Sequence, residues 1–268
     1  MTTELVTLDI RNDVAYVCLN RPEKMNALNY AMFVAIDNTI KRIAKNRNIK
    51  AVILSGAENN FSSGLDVKSL ANDPIKGIPL LFKWLPGNAN LAQRVSVGWQ
   101  RLPVPVIAVL QGCCYGGGMQ IALGADVRIA EPATRLSIME AKWGLLPDMG
   151  GLASLRQIMP KDKALHLTYT AQVLESDQAL NLGLVSEVVD DAMTRAEALA
   201  EQYMLTSPDA IAAIKHSINR SWSGTIRQLL SRESLSQIKV LVGKNRAIAA
   251  IRQTKDPQKS YRPRQGWW

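Results

Sequence analysis

Between Leu102 and Ala125 the chain runs for 24 residues without a charged side chain, long enough on length alone to span a bilayer. Pro103, Pro105 and five glycines interrupt it, and a continuous membrane helix is the wrong reading of so broken a run. A buried strand over Val104–Leu110, a glycine-rich turn and a buried helix near Gly116–Leu123 account for the same residues. The flanking segments fit that reading. Leu5–Ile10 and Val14–Leu19 alternate apolar positions around Arg11, Asn12 and Asp13 and predict a hairpin. Asn29 can cap a helix from Tyr30 to Asn46, with Phe33, Ile36, Ile40 and Ile43 on one face. Short strands are expected at Ala51–Leu54 and Asp126–Ala130. Strand and helix thus alternate, and sequential strands joined by crossovers imply an α/β architecture with parallel pairing.

After about residue 150 the pattern becomes helical, with one further strand at Leu184–Val189. Ala192–Met204, Pro208–Trp222 and Thr225–Leu241 carry apolar residues three and four apart. Ser207 and Pro208 mark a helix start.

The charge is uneven. Of a net +9, residues 239–264 carry +7, from eight bases against the lone Asp256. The main body is nearly neutral, so this stretch is either a solvated tail or the place where a polyanion would be met. Aromatics make up only 6% of the chain, which argues against a stacking platform for single-stranded nucleic acid. Cys18, Cys113 and Cys114 are too few and too poorly spaced for a disulfide framework or a zinc site. With no secretory pattern at the start, a reducing, cytoplasmic location is expected. The two histidines, His166 and His216, fall inside helical segments, and G-x-S-x-G, Walker A, H-E-x-x-H and G-x-G-x-x-G motifs do not occur. Metal, ATP and nicotinamide mechanisms lose support, and carboxylates near glycine-rich turns remain.

Two segments end strands with such glycines, and with three others they form an ordered set: NRPEKMNAL (20–28), FSSGLD (61–66, glycine turn), GCCYGGGMQ (112–120, glycine turn), MEAKWGLLPDMGG (139–151) and ALNLGLVSEVV (179–189). In this order, over nearly the whole chain, they resemble the crotonase superfamily, the enoyl-CoA hydratase and isomerase family. The resemblance implies a spiral of ββα turns over residues 1–190 that holds the CoA and oxyanion sites. It also implies a helical trimerisation region over residues 191–268. Homotrimers or hexamers are expected, with no membrane or nucleic-acid partner and no cofactor beyond the coenzyme A thioester of the substrate. The implied oxyanion donors are the amides of Leu65 and Gly117. Proton abstraction beside a thioester, or addition to its conjugated alkene, puts negative charge on the carbonyl oxygen, and two preset N–H donors stabilise it. Gly117 would also begin a helix, whose dipole adds to its own amide.

The acid and base positions depart from the hydratase pattern. Family hydratases carry one glutamate on the helix after the glycine run and another before the later PxxGG; here the first position is Gln120 and the second Glu140. An amide can hold a water but cannot accept its proton, so two-carboxylate hydration lacks a partner. Glu140 alone could abstract and return a proton, as single-glutamate isomerases of the family do. Asp148 stands where dienoyl-CoA isomerases carry an aspartate that works with the glutamate; a helix cap is the competing reading. Family resemblance assigns coenzyme A contacts to Lys24, Met25, Ala27, Ser63, Asp66 and Lys68, with Lys255 and Lys259 as further basic candidates. Ile75–Trp99, with Leu80, Leu81, Phe82, Trp84 and Leu85, is either the acyl-pocket wall or a helix packing face. A double-bond isomerase is the leading expectation and enoyl-CoA hydratase the alternative. RNA binding, or a non-catalytic family member, ranks below both.

Overall fold

The computed structural model describes residues 4–71 and 77–268. β1 (Val6–Arg11) and β2 (Val14–Leu19) pair antiparallel. The two residues between them, Asn12 and Asp13, both take left-handed conformations, the backbone that a tight two-residue hairpin requires. α1 (Tyr30–Lys45) begins at Asn29, whose side chain accepts the Met32 N–H at 2.8 Å and fills one of the open donors of the first turn. β3 (Ala51–Gly56) follows. The short helices α2 (Val67–Ala71) and α3 (Gly77–Leu81) lead to α4 (Leu91–Arg101).

The uncharged run folds into the expected buried strand and buried helix, with a further short strand inside the segment read as a turn. β4 occupies Val106–Leu110, β5 Cys113–Tyr115 and α5 Gly117–Ala122, and β6 (Val127–Ala130) comes next. β4 starts two residues later than expected, because Pro103 and Pro105 lack the N–H that a ladder needs. Among the described residues no helix is long and apolar enough to cross a membrane.

The main sheet has the order β1-β2-β3-β4-β6-β9, where β9 is Glu187–Val188, and every pairing after the first is parallel. It is buried on both faces, which is why its central strands read as unbroken apolar runs. Ala15, Val17, Val52, Leu54, Val106, Ala108 and Leu110 face the larger core with α1 and α4; Val14, Ala51, Ile53, Ile107 and Val109 face α9 (Ala192–Met204). The strand expected over Leu184–Val189 contracts to Glu187–Val188. Leu184 and Val185 instead bend back toward Ala179, their amides donating to its carbonyl.

A second, three-stranded sheet, β5-β7-β8, was not legible in the sequence: β7 is Arg135–Ser137, parallel to β5, and β8 is Leu174–Glu175. Around it lie α6 (Gly151–Ile158), α7 (Lys161–Thr170) and α8 (Ser176–Asn181). The C-terminal helices are α10 (Pro208–Ser221), capped by Ser207 as expected, α11 (Ile226–Val242) and α12 (Lys244–Thr254). Lys215 fastens α10 to the rest of the fold, its buried ammonium donating to the carbonyls of Trp99 and Val104 and to Asp126 at 3.0, 2.8 and 2.6 Å.

The basic C-terminal stretch is docked on the fold in part, while Lys244, Arg246, Lys255, Lys259 and Arg262 stay exposed to solvent as one of its two readings expects. Arg264 is 2% exposed, its backbone N–H donates to Arg47, and Arg252 stacks on Tyr261. Farther along, the Gln265 amide and the Trp268 indole both donate to Asp209.

Candidate active site

Two parallel bridges outside the main ladders assemble the site. Ser62 pairs with Cys114, exchanging bonds with Cys113 and Tyr115, and so lays the FSSGLD segment along β5. Leu65 pairs with Leu28: the Leu28 N–H donates to Gly64 O at 2.8 Å, and Leu28 O accepts from Asp66 N at 3.0 Å. In a parallel bridge those bonds flank Leu65, whose own N–H turns the other way. Among the described residues the Leu65 and Gly117 amides find no acceptor within the protein.

They are close because the glycines permit it. A Cβ on Gly64 (φ +92°) would stand 2.8 Å from Tyr115 O and 3.5 Å from the Gly117 nitrogen, and one on Gly118 would meet Ser62 Cβ at 2.7 Å. The first contact is closer than side chains tolerate, and the φ value favours glycine.

Glu140 arrives by way of the second sheet. β7 ends at Ser137 beside the end of β5, with Gly116 N–H donating to Ser137 O. A single 3-10 turn over Glu140–Trp143 then carries the carboxyl back, so that a Cβ on Gly116 would lie 3.5 Å from Glu140 Oε1. Glu140 is 6% exposed. Its Oε1 accepts the Gln120 amide at 2.6 Å, while Oε2 is buried without a partner. Burial holds this carboxyl above the ordinary glutamate range; the Gln120 hydrogen bond opposes that shift and the nearby charge of Asp148 adds to it.

A cavity of about 110 Å³ joins Ser63, Gly64, Leu65, Gly116, Gly117 and Glu140, with Glu140 its one carboxylate-bearing wall residue. A second, largely apolar cavity of about 280 Å³ shares Leu65 and Leu145 with it and reaches Phe33, Leu80, Leu81, Asp148 and Met149. Of the Ile75–Trp99 candidates, Leu80 and Leu81 therefore line a wall. Phe82, Trp84 and Leu85 are exposed away from it, and Ile75 lies outside the described residues.

Asp148 does not cap a helix, which overturns that reading. The residue before α6 is Gly150, which has no side chain to offer. The capping acceptor is Gln120 Oε1, which takes the N–H groups of Met149 and Gly151 at 2.9 and 3.0 Å. Asp148 is half-buried in the larger cavity, and desolvation holds its carboxyl above the ordinary aspartate range, opposed by a bond from its own backbone and by Lys83.

The residues assigned to coenzyme A fall into two sets. Met25, Ala27 and Ser63 lie together, with Ser63 N–H donating to Met25 O and its hydroxyl to Lys24 O. Lys24 and Lys68 are exposed. Asp66 has its carboxylate engaged: Ser69 N–H and Arg21 hold it below the usual carboxylate range. Lys255 and Lys259 are exposed beyond α12.

Two residues of this loop were missed by sequence reasoning. Arg21 also binds Ala27 O. Fully buried Asn26 accepts the Arg21 N–H and donates to the Ala57 and Asn60 carbonyls. Both lie within NRPEKMNAL, and a buried asparagine beside an arginine in a loop is the signal that could have found them.

A spiral core that passes two unpaired amides and a buried carboxyl to one cavity is the architecture of the crotonase fold. The enoyl-CoA hydratase from Thermoplasma volcanium superimposes with a TM-score of 0.83 at 26% identity, over 94% of this chain and 98% of that one. The enoyl-CoA hydratase/isomerase family model matches residues 9–241. The short-chain-enoyl-CoA hydratase of Clostridium acetobutylicum is 33% identical over 233 residues, 85% of this chain and 86% of that protein. The mitochondrial Δ(3,5)-Δ(2,4)-dienoyl-CoA isomerase of Rattus norvegicus is 32% identical over 210 residues, 75% of this chain and 64% of that protein. The chain belongs to the enoyl-CoA hydratase/isomerase family and is an acyl-CoA enzyme of that family.

Proposed function

We propose that this protein shifts a carbon–carbon double bond in an acyl-CoA thioester, with Glu140 as the single acid–base group. Glu140 Oε2 takes a proton from C2 of a 3-enoyl thioester, and the carbonyl oxygen gains the negative charge. The N–H groups of Leu65 and Gly117 hold that oxygen, and the same carboxyl returns the proton to C4, giving the 2-enoyl product. One observation carries the preference for isomerisation: the position of a second carboxylate holds Gln120, whose side chain is wholly committed to Glu140 and to the start of α6.

The acyl group would lie in the apolar cavity between Leu80 and Met149. The coenzyme A moiety would cross the Lys24–Ala27 loop beside Ser63, with Lys24 and Lys68 available to its phosphates. Asp66 would act there through its backbone, since Arg21 holds its side chain. Exposed apolar residues along α11, among them Ile226, Leu230, Leu235 and Ile238, support self-association of the helical region. A cytoplasmic trimer or hexamer is the assembly this reading expects.

Hydration of a 2-enoyl thioester is the second reading, favoured by the activity named for the C. acetobutylicum relative. Turnover of 2-enoyl-, 3-enoyl- and 3,5-dienoyl-CoA separates the readings. Isomerisation is expected to dominate and to fall about 100-fold or more in Glu140→Gln, with acyl-CoA binding retained. Dominant hydration, or near wild-type isomerisation by that variant, refutes the proposal.

A further inference from the structure

Gln120 does more than replace a carboxylate. It is 1% exposed and sits three residues after Gly117 on α5, so the helix that presents one candidate oxyanion amide also presents this side chain one turn later. Its orientation is fixed by its partners. Two N–H donors, from Met149 and Gly151, converge on one end of the side-chain amide, so that end is the oxygen. The NH₂ therefore faces Glu140 Oε1 at 2.6 Å. The reversed amide would oppose NH₂ to two N–H groups. α6 has no capping side chain of its own, and Gln120 supplies that acceptor from another helix.

We infer that Gln120 is the positioning residue of this site: it occupies Oε1 of Glu140, leaves Oε2 as the oxygen that carries the proton, and ties that carboxyl to the first turn of α6. The inference rests on the reading of Glu140 as the acid–base group. An amide N–H cannot titrate at working pH, so the hydrogen bond to Glu140 persists in both protonation states of the glutamate and favours the ionised one. A glutamate at position 120 would behave differently. The two N–H groups of Met149 and Gly151 would hold it ionised, while its other oxygen would face Glu140 Oε1 with no proton between them unless the pair shared one. The two carboxyls would titrate as a coupled pair, and Glu140 would be the member driven to keep its proton.

The test measures kcat and KM for 3-hexenoyl-CoA isomerisation, deuterium uptake at C2, and melting temperature, from pH 5 to 9, for wild type, Gln120→Glu, Gln120→Leu and Glu140→Gln. Gln120→Glu keeps the acceptor for α6, so its melting temperature should stay near wild type below the limb and fall only as pH rises through the shifted limb, where the buried pair ionises. The ascending limb of its kcat/KM profile should move to higher pH, with activity below the limb falling about tenfold for each pH unit moved. KM should change less than about threefold, because no group that touches the substrate is altered. Gln120→Leu loses both functions: its limb should also move up and its melting temperature should drop. A purely structural role predicts lower stability in Gln120→Leu with the limb unmoved in both variants, and that result overturns the inference. Glu140→Gln keeps the two failures apart. If it remains active, the reading of Glu140 is wrong; if it is inactive while the limb stays put in both Gln120 variants, the positioning role alone is wrong.

Discussion

Replacing Glu140 by glutamine should cost activity, and its effect on stability relative to wild type should become more favourable as pH rises. In the wild-type fold the carboxyl is buried, accepts one hydrogen bond, has a second oxygen without a partner, and feels the charge of Asp148. Its folded pKa therefore lies above its unfolded value near 4.3. The fold binds this proton more tightly than the unfolded chain does, so wild-type stability falls as pH rises from about 4 through the folded pKa, and above that pKa the penalty is constant. At that plateau the penalty is about 1.4 kcal/mol for every pH unit that separates the folded pKa from the unfolded one. Glutamine keeps the volume and still accepts from Gln120, and the cost of its unpartnered NH₂, about 1–3 kcal/mol, is the same at every pH. The variant-minus-wild-type difference should thus rise with pH above about 4 until the wild-type carboxyl is ionised, by about 2–4 °C in Tm for each kcal/mol of that penalty in a chain of this size. Asp148 titrates in both proteins and largely cancels. Urea unfolding at pH 4, 6 and 8, at one protein concentration, reads the difference directly. A difference that is flat with pH, or larger at pH 4, would refute the claim that burial of this charge strains the fold.

Two further outcomes test the site from other sides. Gly64→Ala places a Cβ 2.8 Å from Tyr115 O at φ +92°; the Leu65 amide must move, and kcat should fall about 100-fold, whereas an active variant would remove Leu65 from the oxyanion site. Asp148→Asn touches no cap and removes a half-buried charge, so melting temperature should not fall. If Asp148 relays protons over an extended diene, 3,5-dienoyl turnover should be lost while 3-enoyl turnover persists, and full dienoyl activity would eliminate that role.

What the sequence determined by itself was whatever rests on neighbours along the chain. The hairpin turn at Asn12–Asp13, the Asn29 and Ser207 caps and the apolar faces of α1 and α9 depend on contacts within a few residues, so their spacing reveals them. The glycine segments were legible too, because a backbone that must approach another backbone can use few other residues, and family resemblance pointed to Leu65 and Gly117 within them. The tertiary structure decided the rest. β5, β7 and β8 are two or three residues long and draw their stability from pairing across 22 to 40 residues of chain, which leaves no periodicity to read. That small sheet brings Glu140 to Gly116. Asp148 was legible as a polar residue before a helix, yet the cap comes from Gln120, 31 positions before the Gly151 amide it accepts. The orientation of the Gln120 amide, and with it the oxygen of Glu140 left free for a proton, follows from donors that converge only when α5, α6 and the Glu140 turn pack together. Hydrogen-bond geometry of that kind is set by packing, and residue identity alone cannot supply it.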